Sequence, residues 1–176
     1  MPLPFERAEL LELVAKYDYQ NDYAELEAGL ITSLPVAAGL GFLTKGELVA
    51  VAKWKWRGGR TAQLVSLNSD DEIKEVSAAS FAAKSPMLQI GALRCLSGVD
   101  WPMASVILHF TFPNTSPILD VRALETLGLK PRYNLALWRN YSAQCVAEAR
   151  RFSVTMRELD KALWQHSKDK SRSRAA

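Results

Sequence analysis

Two cysteines, Cys95 and Cys145, are all the thiol this 176-residue chain holds. That is too few for the disulfide framework of a small secreted domain or for a four-cysteine iron–sulfur cluster. Both sit in apolar helical patterns, which predicts buried free thiols. Histidine is as scarce: His109 and His166 stand far apart without a Cys, His or acidic partner at ligand spacing, so no metal site is expected. Glycine nowhere forms a phosphate loop, and Gly58-Gly59 reads as a turn. No Ser or Cys stands in a nucleophile-elbow context. No apolar run approaches the roughly 20 residues of a membrane span. The first residues, with Glu6 and Glu9, lack a signal-peptide pattern, so the expectation is a cytoplasmic protein with no membrane partner.

Charge of one sign is also missing from most of the chain. The net charge is +3, from 22 basic and 19 acidic residues. Lys168, Lys170, Arg172 and Arg174 against Asp169 put that whole excess in the last nine residues. The body carries 18 of each sign, so composition alone does not argue for nucleic acid. The length suits one domain with a proper core, and the 48% apolar content is ordinary for a globular chain. The expected organisation is a helical domain over residues 1–167, then a flexible basic tail over 168–176.

What is present is helical punctuation. Thr44-Lys45-Gly46-Glu47, Ser69-Asp70-Asp71-Glu72 and Thr155-Met156-Arg157-Glu158 are capping boxes, each opening an apolar run of helical period. Residues 3–17, 23–34 and 133–152 show further amphipathic patterns, and Pro35 is expected to close the second. Gly128 carries a C-cap signature, with Pro131 beyond it. Lys53-Trp54-Lys55-Trp56-Arg57 interleaves cations with aromatics, as a surface that stacks bases would. A core Trp54 with solvated lysines is the stronger reading, because the tryptophans follow an amphipathic pattern. The fold class is all-α.

The chain is organised around residues 93–127. A helix leads to a turn at Ser97-Gly98-Val99-Asp100, where Gly98 adopts positive φ at no steric cost and Asp100 also tolerates it. Pro102 suits the first turn of a second helix, which is apolar on nearly every side and therefore buried. Pro113, Asn114, Ser116 and Pro117 stop it, and Asp120 stands where the next helix needs an N-cap.

This stretch resembles the helix-hairpin-helix DNA glycosylase superfamily, with the motif over residues 87–112. Leu96-Ser97-Gly98-Val99 matches the first half of the family's hairpin, and Ala104 its small helix residue. Asp120, in Ile118-Leu119-Asp120-Val121-Arg122, falls at the spacing of the family's catalytic aspartate. Pro102 stands where bifunctional members carry a lysine, and Asp100 replaces the second hairpin glycine. The resemblance implies a compact glycosylase-like helical bundle that binds DNA through Gly98, Val99, Asp100 and Trp101, helped by Arg94 and Arg122. It implies a monofunctional enzyme that excises a flipped damaged base with Asp120 as its carboxylate, without an iron–sulfur cluster or other cofactor. Two other readings are a non-catalytic DNA-binding relative and a helical protein-interaction domain. Asp120 as a plain helix cap and the hairpin as ordinary αα packing are the structural counterparts of those readings.

Overall fold

The computed structural model describes residues 3–17 and 22–175, and the regular structure among them is all helical, without a strand. The elements are α1 (Arg7–Lys16), α2 (Asp22–Leu40), α3 (Lys45–Lys55), α4 (Arg60–Ser66), α5 (Asp70–Ala82), α6 (Pro86–Leu93), α7 (Trp101–Thr111), α8 (Val121–Thr126), α9 (Leu135–Phe152) and α10 (Met156–Ala175). They gather into two compact units, one over residues 20–113 and the other over 1–19 with 114–176.

The three capping boxes form as the sequence predicts. Thr44 accepts from Glu47 N, Ser69 from Glu72 N and Thr155 from Glu158 N, while each glutamate returns a bond to the cap's own amide. These reciprocal bonds hold the Glu72 and Glu158 carboxyls below the usual range. Asp100, Asp120 and Asn134 cap α7, α8 and α9 with their side chains. Gly128, at φ 68°, ends α8 with bonds from Gly128 N to Glu125 O and from Leu129 N to Leu124 O.

Within residues 20–113, α7 is the buried centre. Every residue from Pro102 to Thr111 is buried, His109 included, and α2, α3 and α6 pack against the helix. Trp54 meets Phe110 edge to face at 5.1 Å between centroids, so this tryptophan is core, while Trp56 remains 43% exposed. Pro35 does not end its helix: α2 continues through it to Leu40. Proline deletes the bond to the carbonyl of Ile31, but Pro35 and Ile31 are both exposed, so water can satisfy that oxygen. Arg60–Ser66 form a separate short helix, α4, entered through Gly59 at φ 71°.

Within the other unit, α10 packs on α1, α8 and α9. The basic segment from Lys168 is helical up to Ala175 instead of an irregular tail, and Ala176 lies outside the described residues. Local bonds carry the helix onward: Gln165 Nε2 donates to Asp169 Oδ1, and Ser171 and Ser173 donate to the carbonyls of Ser167 and Asp169. Ser167 also donates to Glu125 Oε2 at 2.6 Å, tying this end of α10 to α8. Cys145 is buried as expected, and burial pushes its thiol far up. Cys95 is exposed, a correction to the sequence reading. It stands two residues past the end of α6, beyond the C-cap Arg94, where an apolar helical pattern no longer dictates facing.

Candidate nucleic-acid interface

The hairpin is assembled from contacts that span the first unit. The backbone turns at Gly98, with φ 77°, and the Val99 amide donates to Leu96 O at 3.1 Å. A Cβ on Gly98 would stand 2.8 Å from Leu64 Cβ and 2.9 Å from Val65 N, so glycine is needed for close approach to α4 as well as for its φ. Asn68, buried beside the turn, accepts from Ser97 N at 2.8 Å and donates to Ser97 O at 3.1 Å and Val65 O at 2.8 Å. One side chain thus clamps both backbone groups of Ser97 and ties the turn to α4.

Asp100 departs from the positive-φ expectation. At φ −88° it is extended, and Oδ1 accepts from Met103 N at 3.0 Å as the N-cap of α7. Its carboxylate is therefore held on the helix. The amides of Gly98, Asp100 and Trp101 donate to no group among the described residues. They stand at the positive end of an 11-residue helix, the arrangement that receives an anion. The Arg94 guanidinium lies 4.0 Å from the centroid of the Trp101 ring, which is half-buried. Gly98, Asp100, Trp101 and Arg94 thus lie together at the turn, whereas Val99, expected among the contacts, is buried in the core, because its side chain packs inward behind the turn. Leu67, at the C-cap of α4 next to Asn68, is 74% exposed.

Asp120 and Arg122 belong to the other unit. Ile118 and Leu119 are buried and bring the chain to Asp120, which is partly exposed. Its Oδ1 accepts from Arg122 N at 2.9 Å. Tyr141 donates its hydroxyl to Ile118 O at 2.6 Å, which anchors the strand of backbone leading to the aspartate. Burial raises the Tyr141 phenol well above its ordinary value, with negative charge at Asp160 and Asp120 acting in the same direction. It is a neutral donor at any physiological pH. The Arg122 guanidinium lies 5.3 Å from the Trp164 ring centroid.

Three features escape sequence reasoning. Asn68 works across 29 residues, and no local pattern marks such a clamp. Leu67 looks like one more apolar residue at a helix end. Trp164 and Tyr17 lie 5.3 Å apart, and only helix periodicity along α10, read together with its lysines and arginines, would have placed Trp164 on a basic face. Comparison with family models, curated proteins and solved structures found no match.

Proposed function

We propose that this chain is a DNA-binding protein of the helix-hairpin-helix glycosylase type, holding a phosphate on the hairpin and hydrolysing the N-glycosidic bond of an extruded damaged base. The observation that carries the reading is the hairpin itself. Its glycine turn is packed on α4 and clamped by Asn68, and it presents three unpartnered amides at a helix N-terminus. An anion bound there needs no lysine. Arg94, stacked on Trp101, supplies positive charge beside it. The exposed Leu67 is an apolar group of the kind that unstacks bases when pushed between them.

Asp120 is the carboxylate of this proposal. Departure of the base leaves positive charge on the sugar, which an ionised carboxylate stabilises while it orients or deprotonates the attacking water. Its role as helix cap is compatible, since capping uses one oxygen and leaves the negative charge in place. With Pro102 where a lysine would form a Schiff base, excision leaves the strand intact until alkali cleaves the abasic product. The test is incubation with duplexes bearing a panel of lesions, followed by alkaline cleavage. Asp120→Asn is expected to abolish excision and spare binding, because the amide still caps α8. Covalent trapping under borohydride, or full activity in Asp120→Asn, would refute the assignment.

A further inference from the structure

We propose that the face of α10 carrying Lys161, Lys168 and Arg172, extended by Arg122 of α8, is a second nucleic-acid surface that tracks the phosphate backbone. The proposal takes its partner from the DNA reading above but rests on different residues. At 100° per residue these three α10 positions and Trp164 fall within about 80° of helix circumference, in a row about 17 Å long. The three carboxylates of α10 lie outside that arc. Glu158 closes the capping box with Thr155, Asp160 is buried against Arg157, and Asp169 accepts from Gln165.

Two aromatic rings seat Lys161, Lys168 and Arg122. Lys168 Nζ lies 5.1 Å from the centroid of Trp164, which Arg122 also covers at 5.3 Å. Arg157 and Lys161 cover Tyr17 at 5.2 and 5.5 Å, and Arg157 Nη2 donates to the Tyr17 hydroxyl at 3.3 Å. Cations seated on ring faces are positioned before any ligand arrives, so less side-chain entropy is lost on binding. A polyanion with charge every ~1.7 Å along its axis, as in duplex DNA, matches a continuous row of this length. An anionic membrane fits poorly, because among the described residues α10 exposes no large apolar side chain to insert beside the charges.

The experiment is a fluorescence-anisotropy titration of the full chain with a labelled undamaged duplex at several salt concentrations. The triple variant Lys161→Gln/Lys168→Gln/Arg172→Gln is expected to bind at least tenfold more weakly, with a salt dependence shallower by about 2.7, roughly 0.9 for each lost phosphate contact. Lys170→Gln, on the same helix but off the row, is expected to change binding by less than twofold. A companion variant with Lys161→Arg/Lys168→Arg keeps the charge and retains affinity, and unchanged circular dichroism of each variant separates lost contacts from lost fold. Binding of the triple variant at wild-type strength would overturn the proposal and leave the hairpin reading standing. Loss in the triple variant with none in Arg94→Gln would support α10 and count against the hairpin. Binding to poly-glutamate or to vesicles containing phosphatidylserine, with none to DNA or RNA, would overturn the nucleic-acid assignment.

Discussion

At the scale of single residues, Gly98 and Gly59 share a left-handed backbone but not a setting. A Cβ at Gly59 meets open space, whereas at Gly98 it meets Leu64 and the Val65 backbone below 3.0 Å. Gly59→Ala is expected to cost only the conformational penalty, about 1 kcal/mol. Gly98→Ala adds overpacking against α4 and is expected to cost roughly 2–5 kcal/mol. Urea midpoints of the two variants check this, and equal losses would contradict the packing. His166 sets a pH dependence. Burial, with Lys170 adding to it, lowers its pKa below the ordinary 6.5. Thr126 donates its hydroxyl to Leu163 O, which leaves its oxygen to accept from His166 Nδ1 at 3.3 Å, while the ring packs 5.4 Å from Phe5. With the folded pKa below the unfolded one, the unfolded chain binds more protons between the two values. The contribution of His166 is therefore complete above 6.5 and is lost as pH falls toward the folded value. Urea midpoints on either side of 6.5 are expected to show this fall, and His166→Gln to flatten it. Glu72 and Glu158 act in a separate, more acidic window below 4.5, because their folded pKa values are lowered.

Among the helices, the ends are more strongly specified than the middles. The capping boxes of α3, α5 and α10 each satisfy two backbone donors with two side chains three positions apart. Ser69→Ala and Thr155→Ala are each expected to lose about 1 kcal/mol in thermal or urea unfolding. The two losses should add, since the caps share no partner. The middle of α2 shows the opposite case. Proline is a breaker by propensity, yet the helix runs through Pro35, because Leu34 and Ala37 are buried on one side of it. Burial of those apolar side chains outweighs one missing backbone bond on the solvent side. In the same way, α10 continues past Lys168 because Ser167 is held by Glu125 of α8, a partner 42 positions away.

At the scale of the molecule, the first and last helices meet, with α1 packed on α10. Phe5, Leu10 and Leu13 of the N-terminal segment are buried. Leu10→Ala is expected to destabilise by roughly 2–5 kcal/mol, the range for deleting a buried leucine side chain. A urea midpoint equal to wild type would show that α1 is dispensable. By itself the sequence determined the all-α class, the three capping boxes, the caps Asp120 and Gly128, the buried α7, core Trp54 and the glycine turn at Gly98. Each of these is written in hydrogen bonds or apolar spacings that reach only a few residues along the chain. The tertiary structure alone decided that Asn68 clamps Ser97, that Cys95 faces outward and that α10 gathers its cations over Trp164 and Tyr17. Those outcomes depend on which surfaces meet after the chain has folded back over 29 to 140 positions. At such separations no local periodicity carries the information, and only the mutual fit of side chains selects the partner.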